Sequence, residues 1–175
     1  MSSAATREHP WYALRVKSKF EAVASAGLSG KGYQPFLPLY RARRRWSDRV
    51  KQMELPLFPG YVFCRFDAGT RLPILTTPGV ISVVGYGREP VALEEREIAA
   101  VRAIIASGLP AIPWPYLRAG NRVLIEEGAL RGVEGIVLSL KKETRLIVSV
   151  TMLQRSVGVE IDRAMVRPLT PTRAA

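Results

Sequence analysis

The sequence predicts an α+β protein in two parts: an antiparallel sheet with packed helices, then a small β-barrel. Three observations carry this. Up to Gly108, short β-branched or aromatic runs alternate with segments of helical period. Pro110, Pro113 and Pro115 then fall within six residues, a density that forbids helix and favours an extended connector. Beyond them the apolar period switches to two. The expected organisation is a flexible leader at 1–9, an α+β domain at 10–108, a proline-rich linker at 109–117, a barrel at 118–170 and a tail at 171–175.

"WYALRV" (Trp11 to Val16) reads as the first strand, aromatic at one end and β-branched at the other. "SKFE" then offers Ser18 as N-cap with Glu21 three residues on, a capping-box pattern. Phe20, Val23, Ala24 and Leu28 follow at helical spacing, and Gly30 and Gly32 stop the helix. Pro35 and Pro38 restrict any strand in the next stretch to an edge or an irregular one. "RARRRWSDRVK" is expected as a hairpin tip or loop, and "QMELPLF" as the returning segment.

"LFPGYVFCRF" raises a question of its own. The Pro-Gly pair is punctuation, so a strand begins just after it. Phe58, Pro59 and Tyr61 then either fill the core or face outward as anchors for a partner. A short helix is expected between Asp67 or Thr70 and Pro78-Gly79, with Pro73 early in it. "VISVVGYG" reads as a strand. "ALEEREIAAVRAIIASG" is the clearest helix: Glu94, Glu95 and Glu97 sit in its first turns, where the helix dipole favours them, and Ile98, Val101, Ile104 and Ile105 form its apolar face. The first part thus reads β-α-β-β-β-α-β-α. After the linker come "NRVLIEE", "GIVLSL", "RLIVSVTM" and "SVGVEID". Four or five short strands in about 50 residues must close on themselves to bury a core, which makes an SH3-like barrel the economical answer.

Composition narrows the chemistry. The net charge is +11 with a pI near 10.4, which points to a polyanionic partner or surface. The excess is concentrated: from Arg15 to Lys51 ten basic residues face two acidic ones, a net of +8. The rest of the first 107 residues is close to neutral, at −1. One cysteine and one histidine cannot build the usual Cys/His zinc site, and His9 in the leader is a poorly held base. Cys64, inside an apolar strand, is expected as a buried, inert thiol, and its isolation fits a reducing cytosol. No apolar stretch approaches a membrane span, and no cofactor is implied. Glu126 and Glu127 are adjacent and so point to opposite faces of a strand; neither they nor Glu160 form a paired-acid motif, and the chain is not expected to be an enzyme.

The ordered features together resemble NusG-type transcription elongation factors. "LFPGYVFCRF" resembles the signature of their N-terminal NGN domain. "GNRVLIEEGALRGVEGIVLSL" resembles the KOW motif, with Gly135 at the position of its characteristic glycine. The likeness runs from about Trp11 to Leu169, with both modules in family order.

The resemblance implies docking on the clamp helices of the largest RNA polymerase subunits through Trp11, Tyr12, Phe58, Pro59 and Tyr61. It places contacts to the non-template DNA strand near Thr70 and Arg71. The cluster Arg41, Arg43, Arg44, Arg45, Arg49 and Lys51 is read as contacting nucleic acid (non-template DNA or nascent RNA) or an acidic polymerase surface, the alternative being an ordinary solvated face. Trp46 is expected to pack on the hairpin, with base stacking as the alternative. The barrel domain is implied to bind a small-subunit ribosomal protein or, less readily, the termination factor Rho, through Leu130, Val133 and Leu153. The high charge and the "RARRRW" hairpin suggest a specialised antitermination paralogue, bacterial and cytoplasmic, active at the nucleoid. The competing class is an RNA-binding ribosomal or ribosome-assembly protein that uses the KOW barrel.

Overall fold

The computed structural model describes residues 8–117 and 119–169. The tail and most of the leader lie outside them. The chain forms two compact units, one from 8–37 and 59–95, the other from 38–58 and 96–169.

The first unit is an antiparallel sheet of β1 (Trp11–Val16), β2 (Gln34–Phe36), β5 (Tyr61–Arg65) and β6 (Val80–Val83), in the order β2-β5-β1-β6. Pro35 sits on edge strand β2, where its missing N–H costs no ladder bond. In the β1–β5 ladder Trp11 pairs with Arg65, Ala13 with Phe63 and Arg15 with Tyr61. Directly opposed residues share a face. Tyr12, Leu14, Val16, Val62 and Cys64 therefore share the other one, where they form a core with Phe66, with Ala24 and Leu28 of helix α1 (Glu21–Gly30), and with Ile74 of helix α2 (Leu72–Leu75). A turn of 3-10 helix, Ala68–Thr70, precedes α2. Lys31 joins α1 to α2, its ammonium donating to the Pro73 carbonyl at 2.7 Å and to Thr77 Oγ1 at 3.1 Å.

Helix α1 departs from the capping-box expectation. It starts at Glu21, its N-cap is Phe20, and no side chain caps it. Glu21 instead sends its carboxylate across the unit to the Gly60 N–H at 3.0 Å. That rotates the buried stripe to Glu21, Ala24 and Leu28, leaving Phe20 and Val23 exposed. The glycine-rich exit of β6 forms a minimal hairpin, β7 (Gly85–Tyr86) with β8 (Glu89–Pro90), which the sequence did not signal.

The second unit contains a two-stranded ribbon, helix α3 (Glu95–Ser107, all but its first residue) and a six-stranded antiparallel sheet. The ribbon pairs β3 (Leu39–Trp46) with β4 (Arg49–Pro56) over eight residues, turning at Ser47-Asp48. Of the two readings of the basic stretch, hairpin tip or loop, the structure shows the hairpin, with its cations in regular ladder. Ile98, Val101 and Ile104 of α3 are buried as expected, and Glu97 accepts from Thr151 N–H at 3.2 Å and from Thr151 Oγ1 at 2.6 Å.

The sheet order is β14-β10-β11-β12-β13-β9, with β10 Asn121–Ile125, β11 Glu134–Ser139, β12 Thr144–Val150, β13 Arg155–Ile161 and β14 Val166–Pro168. β10 to β14 supply the five strands the barrel reading required. The sixth, β9 (Ala111–Trp114), lies in the stretch read as a connector and pairs along β13. Pro113 is tolerated because β9 is an edge. Four consecutive β13 residues, Ser156 to Val159, are buried, so both of its faces are covered. On one of them Gly158 leaves room for the Trp114 indole, whose Cε3 would lie 2.9 Å from any added Cβ.

Candidate functional site

The "FPGY" turn follows from its two central residues. Proline presets φ at the second position of a type II turn, and glycine supplies the positive φ at the third; Gly60 has φ 84°. The turn is held from both sides. The Gly60 N–H donates to Glu21 Oε1, and its carbonyl accepts from Val16 N–H at 2.8 Å. Strand β5 therefore starts in fixed register against β1, with Tyr61 opposite Arg15 and Arg15 in turn opposite Ser82 of β6.

This geometry sorts the five proposed docking residues. Pro59 is exposed and Tyr61 partly exposed. The other three are core, which corrects the reading of them as surface anchors. Trp11 is 3 % exposed, its ring edge-on to Phe36 at 6.2 Å and covered by the Arg65 guanidinium at 4.7 Å. Tyr12 points to the helix-covered face and packs on Phe66, with ring centroids 4.7 Å apart. Phe58 is 1 % exposed, as the roughly 2–3 kcal/mol gained by burying an aromatic ring predicts for a residue with no polar atom to solvate. The outward row beside the turn is Pro59, Tyr61 and Arg15, and Arg15 was not foreseen. Its signal was the alternation in "WYALRV", which puts Arg15 on the face opposite Leu14 and Val16.

The ribbon brings the whole basic cluster together. Arg41, Arg43 and Arg45 lie on one face, opposite Glu54, Gln52 and Val50. The other face carries two cross-strand pairs near the tip, Arg44 with Lys51 and Trp46 with Arg49. All six cations are exposed, and Trp46 is 62 % exposed, so the expected packing of its ring on the hairpin is not what the structure shows. No ion pair among the described residues involves the six.

Thr70 and Arg71 are engaged locally. Asp67 accepts from the Gly69 N–H at 2.9 Å and from Thr70 Oγ1 at 3.4 Å, and the Arg71 guanidinium turns back to the Ala68 carbonyl at 3.0 Å. Thr70 is exposed and Arg71 partly so.

The three barrel positions read as a partner surface are likewise buried: Leu130 at 2 %, Val133 at 6 % and Leu153 at 8 %. Leu130 and Val133 belong to one tight turn, Val133 N–H donating to the Leu130 carbonyl at 3.0 Å, which folds both side chains into the unit. Leu153 sits in a 3-10 turn closed by Gln154 at φ 49°. Their role is packing.

Cys64 is the buried thiol expected. Desolvation pushes it up to about 12, far from any reactive thiolate. Among the described residues no cluster of three or more His, Cys, Asp or Glu could hold a metal, and no helix is long and apolar enough to cross a membrane.

Comparison with known proteins agrees with this architecture. Residues 9–102 match the family model described as "NusG: Transcription termination factor nusG". The transcription termination/antitermination protein NusG of Thermus thermophilus is 27 % identical over 177 residues, covering 89 % of this chain and 96 % of that one. NusG of Lactococcus lactis subsp. lactis is 28 % identical over 131 residues, covering 72 % and 70 %. Among solved structures, one titled "Domain interaction in Thermotoga maritima NusG" superposes with a TM-score of 0.56 at 19 % identity, covering 91 % of this chain and 97 % of that one, a likeness of fold. With more than half of its length matching the family model, the chain belongs to the NusG family of transcription termination and antitermination proteins.

Proposed function

We propose that the chain is an elongation and antitermination factor that docks on RNA polymerase through the row Pro59, Tyr61 and Arg15, on the clamp helices of the largest subunits. The observation that carries the reading is the turn itself. A rigid, doubly hydrogen-bonded Pro-Gly corner presents a ring and a guanidinium side by side on one sheet face, the residue types that dominate interface energetics. Tyr12, buried on the opposite, helix-covered face, helps to hold the first strand in place beneath this surface, and Trp11 is buried further along the same strand. Binding that favours the closed clamp would oppose pausing, and differential affinity for that state is the only lever required.

The ribbon cations Arg41, Arg43, Arg44, Arg45, Arg49 and Lys51 contact the nucleic acid of the elongation complex in this reading. Thr70 has a smaller part, and Arg71, folded back on Ala68, a structural one. The functional modules are 10–108 and 118–170. The second binds a further protein, a small-subunit ribosomal protein in preference to Rho, through surface residues other than Leu130, Val133 and Leu153. The density of charge on the ribbon supports a specialised paralogue over a general factor.

Capture by core RNA polymerase tests the docking surface. Wild type binds; Tyr61→Ala and Arg15→Glu each weaken capture about tenfold or more, on the scale of interface anchors. Undiminished capture of both variants would remove the site, and failure of the wild type to bind polymerase would remove the function.

A further inference from the structure

The ribbon is not a uniform basic surface, and its two faces differ in a way that names a ligand. On the Arg41 face three arginines recur at every second residue, about 7 Å apart, each opposite an uncharged or acidic residue. The other face is different. Arg44 stands directly opposite Lys51, an arrangement of like charges that weakens a ladder. Next to it toward the tip, Arg49 stands directly opposite Trp46. Ala42 with Met53, and then Tyr40 with Leu55, continue this face toward the base, so it carries three cations and an indole near the tip and no acidic residue within the ladder.

A folded ribbon gains nothing from an Arg-Lys pair at one rung and an exposed indole at the next. A single-stranded polynucleotide relieves both. Its phosphates neutralise Arg44, Lys51 and Arg49, and an unpaired base supplies the flat apolar partner that Trp46 lacks. A duplex satisfies the charges and not the ring, since its bases are already stacked on one another. Asp48, in the turn, lies outside the ladder and leaves this face uniformly positive.

We propose that the Arg44, Trp46, Arg49 and Lys51 face of the ribbon is a single-strand binding site in which the Trp46 indole stacks on an unpaired base. The Arg41, Arg43 and Arg45 face holds backbone phosphates without regard to strandedness. This deepens the nucleic-acid part of the proposed function and rests on it, but it is independent of polymerase docking.

The test uses the full chain with labelled oligonucleotides of roughly 12 nucleotides, about one single-strand site: a single-stranded RNA, a single-stranded DNA of the same base sequence, and the DNA duplex. Trp46→Ala weakens binding to the single strands about 5- to 150-fold and leaves duplex binding within about twofold, while Trp46→Phe retains most of the affinity. Fluorescence of the wild type is quenched by single strands, and that quench is absent from Trp46→Phe. The double variant Arg44→Gln/Lys51→Gln lowers the slope of log affinity against log salt by about 1.4 on single strands. Tighter binding of RNA would assign the site to the transcript, and tighter binding of DNA to the displaced strand; either supports the proposal. It is overturned if Trp46→Ala weakens single strands and duplex alike, if it leaves single-strand affinity unchanged, or if single strands do not bind. Polymerase is absent from these measurements, so failure here leaves the Tyr61 surface standing, and failure of polymerase capture leaves the ribbon site standing.

Discussion

Gly135 links the sequence motif to the packing most directly, and Gly135→Ala puts a number on it. A Cβ there would lie 2.6 Å from the Ile147 carbonyl oxygen and 2.8 Å from Leu146 Cδ1. An ordinary carbon–oxygen approach between strands is about 3.3 Å or more, so β11 and β12 must part locally by roughly 0.7 Å. The Leu146 methyl can rotate away, but the Ile147 oxygen is backbone within a ladder that pairs Ile136 with Ile147 and Val137 with Leu146. Opening that ladder is an overpacking defect, which costs about 1–3 kcal/mol. In a chain of this length each kcal/mol shifts Tm by about 2–4 °C, so a fall of roughly 2–12 °C is expected. Urea unfolding should show a lower midpoint at unchanged slope. The control is Gly30→Ala at the end of α1, where an added Cβ meets nothing within 4 Å and stability should rise by up to about 1 kcal/mol. Equal stability of Gly135→Ala and wild type, or a larger loss from Gly30→Ala, would refute the reasoning.

Two further substitutions probe the turn and the core. Glu21→Ala leaves the Gly60 N–H without its acceptor and should destabilise by about 1–3 kcal/mol, with faster hydrogen exchange at Gly60; Glu21→Gln keeps an oxygen at that place and should lose less. If Glu21→Ala exchanges at Gly60 as slowly as wild type, the carboxylate does not hold the turn. Cys64 gives a pH prediction. Its thiol, pushed from 9.0 to about 12, stays neutral in the fold while the unfolded chain ionises, so its contribution is full below pH 9 and is lost as pH rises toward 12. Stability of Cys64→Ala should therefore fall less steeply than that of wild type between pH 9 and 11, and parallel curves would contradict the assignment.

The order of elements was legible because it rests on local signals. Proline and glycine punctuate the chain, and the switch of period after the linker marks the second sheet. Two features escaped for a physical reason. β9 has Ile112 and Trp114 as strand formers, but Pro113 between them masks the signal; it is a strand because β13 offers a free edge and Gly158 a seat for Trp114, and both lie more than forty residues further along. The start of α1 was misplaced because "SKFE" satisfies a local capping rule. Glu21 instead bonds to a backbone N–H thirty-nine residues away, and a tertiary bond of that kind leaves no trace at helical spacing.

The site was legible where charge carries it and obscured where aromatic rings do. A run of arginines announces itself whatever its conformation, because no core accepts six unpaired cations. An aromatic ring carries no such instruction; it serves equally as anchor or as core, and only register decides. Here register sends Trp11 into contact with Phe36 and Tyr12 onto Phe66, while leaving Tyr61 beside Arg15 at the rim. The same logic applies to Trp46. A lone indole amid arginines, read as sequence, packs on its own hairpin; in an eight-pair ladder it lies opposite Arg49, with Arg44 two residues back along its strand, and no apolar neighbour in register nearer than Ala42 and Met53, four residues away along β3 and β4 respectively. The "FPGY" stretch thus builds the corner, and the residues left outward by the corner and by the ribbon are the ones on which the proposed recognition rests.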